Sequence, residues 1–463
     1  MRRLVTLSLS GAMLLAALLL CACAGQGSAP AAAVSLSPMP AETPVLVVLG
    51  EGGGAGESAA ASAADTVSPS TSLSPSPEPE PTPTPVPAAS TFSLRFVGDF
   101  MCCEYQMAAA LREDGSYDFA PPFDPVREEL AAADCTIGNL ETNFYPDKPY
   151  HGTKKGFNAP ESYLDAIKDC GVDVLVTANN HALDLNAAGA LTTIEAVHAH
   201  GMDLVGTFAS EDEVDDIYIR EVKGVKVALL AYATRSNKQK AWFGDTQDND
   251  ATWVLNFYSQ EKMARNIADA KTQGAEVIVL YLHAGYEKTD APSKEQRRIF
   301  DEACDAGADV VIMSHTHSLL PMETRVVGEG ENARTVFCAY GLGNFMSSAL
   351  HDEALNNIIV NVDITYDFQQ KRITALEPSY VLTYSFNYYE NGELQFQIVP
   401  MRQGLLDFTG VVAPNTRKGI DALASAYRKM SARIGEGAAK DVYSFIKEEP
   451  APTPQPGPEG TEG

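Results

Sequence analysis

One order of features occurs twice in this chain: a segment of helical spacing, a glycine, a short aliphatic run, and then histidine. The first unit runs from Pro160 to Cys170, through Gly171, into Val172-Asp173-Val174-Leu175-Val176-Thr177, and ends at Asn179-Asn180-His181. The second runs from Lys294 to Ala306, through Gly307, into Ala308-Asp309-Val310-Val311-Ile312-Met313, and ends at His315-Thr316-His317. A glycine stops a helix, and a short apolar run after it suits a strand buried on both faces. The repeat therefore predicts βα units and an α/β fold with parallel strands. Val225 to Ala233 and Glu276 to Leu282 add strand-like runs between the units, and only the second ends on a histidine, His283.

Polar residues gather where such runs end. Six short motifs do so: Gly98-Asp99, Asn139-Leu140-Glu141, Asn179-Asn180-His181, His283, His315-Thr316-His317 and Gly343-Asn344. Parallel strands deliver their ends to one edge of a sheet. Carboxylate, amide and imidazole groups are costly to bury unpaired, yet they are ligands of divalent first-row metals. Taken singly, Asp99 reads as a turn cap, Glu141 as a loop acid, Asn179 and Asn180 as helix-capping residues, and His283 as a satisfied core histidine. Together they predict a metal site assembled from several strand ends. Two metals about 3.5–4 Å apart, bridged by a carboxylate, would activate water and clamp an ester's oxygens, with a histidine outside the coordination sphere as proton donor.

His315 and His317 are two residues apart, a spacing that on an extended chain puts both imidazoles on one side. His198 and His200 share that spacing on a helix-like run, where they diverge, and read as surface residues. His151 and His351 have no comparable neighbours in sequence.

The ends of the chain differ from its middle. Arg2 and Arg3 precede the apolar stretch Leu4 to Leu20, as in an export signal. Ala22 before Cys23 resembles a bacterial lipoprotein box with Cys23 lipidated, which predicts an extracytoplasmic protein anchored to the cell membrane; an uncleaved membrane anchor is the alternative. Residues 24–91, rich in Ala, Ser and Pro, read as a tether without a core, and 448–463 as a disordered tail. The formal net charge of −27, from 34 basic and 61 acidic residues, argues against nucleic-acid binding. Any long polyanion would need a metal or a local basic pocket to be held. Six cysteines remain after Cys21 and Cys23 are set aside, and an exported chain permits them to pair. Cys102 and Cys103 read as packing or disulfide residues rather than metal ligands.

Residues 92–347 form the main domain in this reading. Alternating runs such as Ile358 to Ile364 and Gln395 to Val399, with a hairpin signal at Asn391-Gly392, place 348–412 as strands completing it. A helical segment follows at 413–447.

In order, Gly98-Asp99-Phe100-Met101, Asn139-Leu140-Glu141, Phe157-Asn158-Ala159-Pro160, Ala178-Asn179-Asn180-His181-Ala182-Leu183-Asp184, His283-Ala284-Gly285-Tyr286-Glu287, His315-Thr316-His317 and Tyr340-Gly341-Leu342-Gly343-Asn344-Phe345 resemble the CapA/PgsA capsule-synthesis proteins. The likeness spans about Leu94 to Ser347. That family is similar in fold to calcineurin-like metallophosphoesterases, which implies a four-layer α/β/β/α sandwich with metals at the strand ends. It is associated with making or exporting poly-γ-glutamate capsule. Carried over by position, the resemblance implies Asp99 and His317 on one metal, Asn180, His283 and His315 on another, and Glu141 between or adjoining them. His181 would be the general acid, with Asn139, Asn179, Asp184, Glu287 and Asn344 in support. The implied cofactors are divalent ions, Mn, Fe or Zn, up to two in number.

Asp99-Phe100-Met101 stands where the phosphoesterase pattern has Asp-x-His, so one imidazole is missing, and Glu141 replaces an aspartate. Met313 and Thr316 replace the usual glycine and proline around the double histidine, and Cys103-Glu104 replaces a Gly-Arg turn. The expected function is metal-dependent hydrolysis of an ester or amide in surface-polymer biosynthesis. A non-catalytic accessory of a membrane polymer synthase and a nucleotidase-like phosphatase are the alternatives. Expected partners are the membrane, polymer synthase subunits and an anionic surface polymer.

Overall fold

The second repeat unit shows how the sequence builds its elements. Ser293 accepts from Gln296 N–H while the Gln296 side chain accepts from Ser293 N–H, so a capping box starts the helix. Gly307 ends it at φ 100, a left-handed cap that glycine adopts without steric cost. A computed structural model describes residues 87–153, 155–238, 240, 251–347, 352–401, 417–434 and 439–441. The chain divides between Pro81 and Thr82, and these residues belong to the second unit. Cys23, the leader, the Pro-rich stretch through residue 86, His351 and the tail lie outside the described residues.

Two large sheets carry the fold. The first contains β1 (Ala89–Phe100), β2 (Cys135–Leu140), β5 (Val174–Val176), β6 (Asp203–Val205), β13 (Asn356–Asp367), β14 (Arg372–Glu390), β15 (Glu393–Pro400) and β16 (Lys440–Asp441). Its order is β15-β14-β13-β1-β2-β5-β6, with β16 on β14. The second contains β7 (Ile219–Val222), β8 (Val225–Ala233), β9 (Val277–His283), β10 (Val310–Ser314), β11 (Met322–Val327) and β12 (Arg334–Ala339), in the order β11-β12-β10-β9-β8-β7. β3 (His151–Thr153) and β4 (Gly156–Asn158) pair as a separate hairpin. Helices are α1 (Glu104–Ala110), α2 (Arg127–Ala131), α3 (Ser162–Asp169), α4 (Asn186–Ala199), α5 (Gln260–Thr272), α6 (Lys294–Ala306) and α7 (Arg417–Ile434).

Strands β1, β2, β5 and β6 run parallel, as do β8, β9, β10 and β12. Alternation along them sorts the side chains into layers. Phe92, Leu94, Phe96 and Ile137 of the first sheet meet Val227, Val279, Tyr281 and Ile312 of the second in a shared core. On the outer face of the first sheet, Val97, Phe100 and Leu175 pack on Met107, Tyr163 and Ile167. On that of the second, Ile278, Leu280 and Val311 pack on Met263, Ile267, Ile299 and Phe300. The result is the α/β/β/α sandwich expected from the sequence.

β1 does not stop at Gly98-Asp99; it continues to Phe100. The register on β2 slips there, with Val97 opposite Gly138 and Asp99 opposite Asn139, so Gly98 is the extra residue of a β-bulge. The bulge inverts the alternation. Phe96 faces the shared core and Val97 the helices; Asp99 then stands on the inner side, where its carboxylate meets His317, and Phe100 faces the helices again. A Cβ on Gly98 would lie 1.9 Å from Gly343 O, so only glycine lets the two segments approach. Asp99 N–H donates to Gly343 O, and Met346 N–H to Asp99 O.

β13 pairs antiparallel with β1, so the strands after Leu350 extend the first sheet. Within 413–447 the helix occupies Arg417–Ile434, and Lys440–Asp441 pair with β14. Cys102, Cys103, Cys135, Cys170, Cys304 and Cys338 are all free thiols.

Candidate metal centre

The C-terminal ends of β1, β2, β5, β9 and β10 converge, and the seam between the sheets closes on imidazoles and carboxylates. Asp99, Glu141, Asn180, His283 and His315 are buried, and His317 is nearly so. Two groups have ligand atoms within 4.8 Å of one another: Glu141, His283 and His315, and Asp99, Glu141 and His317. Glu141 belongs to both. Asn180 adjoins the first group, its Oδ1 2.7 Å from His283 Nε2. In the second, His317 Nδ1 lies 3.1 Å from Asp99 Oδ2 and 2.7 Å from Asn344 Oδ1.

The side chains fit a divalent cation. Glu141 Oε1 and His315 Nδ1 are buried without a hydrogen-bond partner, which is costly unless something satisfies them. His283 Nδ1 lies 2.9 Å from Ser314 Oγ; when that nitrogen carries the proton, the Nε2 lone pair faces Asn180 Oδ1 and, 3.6 Å away, Glu141 Oε1. Acceptors converging on one another call for a cation.

The electrostatics agree. Burial, only partly offset by the His317 charge, pushes the Glu141 carboxyl up to about 8. Burial opposes the charge on His317 too, but Glu141 and Asp99 outweigh it and raise that imidazole to about 10. Burial, then the neighbouring His317, drives His315 down to about 3; burial and His315 hold His283 well below the usual range. Two neutral imidazoles thus stand ready as ligands, while the Glu141–His317 pair holds a proton that a cation would replace.

The double histidine reaches the site by a different route from the expected one. The backbone is not extended there: β10 ends at Ser314, and His315 and His317 have φ of 87° and 48°. Both lie in the left-handed region that non-glycine residues rarely adopt, at a cost of order 1–3 kcal/mol each. The turn separates the rings by 6.3 Å between centroids, so each joins a different group.

Amides hold the first-sheet carboxylates. Asn179 Nδ2 donates to Leu140 O and Asn139 Oδ1, and Asn139 Nδ2 donates to Asp99 Oδ1 at 2.7 Å and Glu141 Oε2 at 3.4 Å. Beside them, His181 Nδ1 lies 2.7 Å from Asp184 Oδ2, which also accepts from Phe157 N–H. Burial lowers the imidazole's proton affinity, but the Asp184 bond and the Glu141 charge raise it further, and the net shift is upward. His181 is therefore an imidazole inclined to hold its proton beside the two donor groups. Glu287 is exposed on the loop after β9, at the lip rather than in the cluster.

A family model described as bacterial capsule synthesis protein PGA_cap matches residues 93–349, more than half of the chain. This chain belongs to that family. Among curated relatives, the PGA biosynthesis protein CapA of Bacillus subtilis is 28% identical over 257 residues, covering 55% of this chain and 63% of its own length. The capsule biosynthesis protein CapA of Bacillus anthracis is 28% identical over 258 residues, covering 55% and 59%. The chain thus spans about three fifths of these relatives. Among solved structures, a 5'-nucleotidase precursor from Thermus thermophilus aligns with TM-score 0.38 and 13% identity, covering 74% of this chain and 59% of that one. The Haemophilus influenzae NAD nucleotidase aligns with TM-score 0.39 and 14% identity, covering 75% and 57%.

Other residues of the PGA_cap chain also touch the cluster. Ser314 bonds His283, and its place between Met313 and His315 in sequence was a readable signal. Asn237 gave none: it lies after β8, yet its Nδ2 is 3.3 Å from both His181 ring nitrogens and its N–H donates to Asn180 O. His200 is not a plain surface residue, because its Nδ1 lies 2.7 Å from Asp165 Oδ1 and joins the end of α4 to α3. His151 stands on the β3–β4 hairpin with its Nδ1 3.0 Å from Pro149 O, and takes no part in either donor group.

Proposed function

We propose that this protein acts in capsule or related surface-polymer biosynthesis, poly-γ-glutamate included, by metal-dependent hydrolysis of an ester or amide. In this reading it works outside the cytoplasm, lipidated at Cys23. Among the described residues no helix is long and apolar enough to cross a membrane. The observation that carries the hydrolytic reading is the pair of donor groups sharing Glu141, with two buried atoms that lack partners, beside a proton-holding His181.

Asp99, Glu141 and His317 would hold one ion, and Glu141, His283, His315 and Asn180 a second. Bound divalent ions would supply Lewis acidity toward the scissile group and acidify water. The chain's own part is positional and protic. Asn139 and Asn179 orient the carboxylates, and Ser314 orients His283. Asp184 fixes His181 through Nδ1, so the opposite ring nitrogen can give its proton to a leaving group. A non-catalytic accessory role is favoured by one observation only: Met101 occupies the place of the Asp-x-His imidazole.

Metal content and hydrolysis of generic esters with added Mn²⁺, measured on wild type and His181→Ala, separate the two. The hydrolytic reading expects His181→Ala to lose at least about 100-fold in turnover while keeping its metal. Wild type that binds metal but hydrolyses nothing would favour the accessory role, and metal loss in the variant would refute His181 as the acid.

A further inference from the structure

The loop after β8 crosses the same edge of the second sheet as the donor groups. Thr234 N–H donates to His283 O, and Asn237 N–H to Asn180 O, which fixes both ends of the segment against the site. Between them stands Arg235. Its guanidinium lies 5.4 Å from the ring centroid of Tyr286, an exposed aromatic on the loop after β9. Its Nη2 donates to Glu295 Oε2 at 2.9 Å. Nε and Nη1 have no partner among the described residues, and the side chain is 37% exposed.

A guanidinium held from one side by a carboxylate and from its face by an aromatic ring is fixed in direction. Nη2 carries two N–H bonds and gives one to Glu295; the edge that Glu295 leaves open still presents two N–H groups, the second from Nη2 and one from a neighbouring nitrogen, with the spacing of a two-oxygen anion. The global charge matters here. A chain of net charge −27 repels anions at long range, and screening limits that field to about 8 Å at physiological salt. An anion therefore needs a cation placed at the site itself.

We propose that Arg235, braced by Tyr286 and Glu295, anchors an anionic substrate, through a carboxylate or phosphate group lying beside the bond to be cleaved. This rests on the hydrolytic reading for the word substrate, but the anchor is a binding residue and is measured as one. Arg235 also predicts how the acidic chain handles an acidic polymer: repulsion over most of the surface, capture at the mouth.

The test is equilibrium binding to the Mn²⁺-treated full chain, with three probes: a short glutamate oligomer, its neutral glutamine counterpart and inorganic phosphate. Arg235→Gln is expected to weaken the acidic probe that binds by about 10- to 100-fold and to leave the neutral oligomer unchanged. Arg235→Lys should recover part of the loss, because it keeps the charge but not the fork. Glu295→Gln should bind the anion at least as tightly as wild type, which a purely structural brace does not predict. Binding of the glutamate oligomer identifies a carboxylate substrate, and binding of phosphate alone a phosphate ester. The inference is overturned if neither anion binds wild type, if Arg235→Gln binds as wild type does, or if the neutral oligomer loses equally. Anion capture through Arg235 without any turnover would leave the anchor standing and refute the hydrolytic reading alone.

Discussion

Replacing Gly98 by alanine tests whether the bulge in β1 builds the site. The new Cβ would sit 1.9 Å from Gly343 O, and no rotamer can relieve a contact between backbone and Cβ. Restoring van der Waals separation requires the Gly343 segment to retreat by about 1.5 Å, enough to break the Asp99 N–H to Gly343 O bond. Overpacking of this kind costs about 1–3 kcal/mol and the lost hydrogen bond about 1 more, so Gly98→Ala should destabilise by about 2–4 kcal/mol. In a domain of about 320 residues that lowers Tm by about 3–6 °C. Gly115→Ala is the control: its φ of +87° strains any side chain, but no atom lies within 4 Å. It should cost about 1–2 kcal/mol from backbone strain alone. Urea unfolding gives the first comparison, and Mn²⁺ titration calorimetry gives the sharper one. Gly98→Ala also displaces Asp99 and Asn344, so it should lose about tenfold or more in metal affinity, whereas Gly115→Ala should lose none. A Gly98→Ala protein within about 0.5 kcal/mol of wild type and with unaltered metal affinity would refute this account of the bulge.

Two further outcomes follow from the protonation of the cluster. His317, raised to about 10 by the charges of Glu141 and Asp99, carries a proton at pH 7, and metal binding must expel it from the Glu141–His317 pair. One expelled proton tightens apparent affinity about tenfold per pH unit between pH 6 and 8. Calorimetry in buffers of different ionisation enthalpy counts the protons expelled, and a count of zero would contradict the assignment. Asp184→Asn keeps an acceptor for Phe157 N–H but removes the charge that raises His181. The alkaline limb of the pH–rate profile should therefore move to lower pH, with a loss of about 10-fold above neutrality; an unmoved limb would exclude His181 as the group observed.

Legibility in the sequence followed the range of the interactions involved. Lys294 to Ala306 and Val225 to Ala233 were readable to the residue, because helical spacing closed by a glycine and a nearly unbroken apolar run are local signals. The polar motifs were readable as a group, because residues costly to bury stood at several strand ends. The bulge at Gly98 was not, since its cause is Gly343, far along the chain. Nor was the left-handed turn at His315 and His317, which brings each ring to a carboxylate from the other sheet. Asn237 follows a run without a terminal histidine, and only the packing of its loop on Asn180 reveals it.

Both donor groups straddle the seam of the sandwich: Asp99 and Glu141 come from the first sheet, and His283, His315 and His317 from the second. A cation there would be a rivet between two halves of the molecule, installed only after residues as distant as Asp99 and His317 have met. Occupancy would then record that folding is complete. The lifetime of the protein would depend on the metal content of its surroundings, since chelation would loosen the sheets from one another and open the seam to proteases.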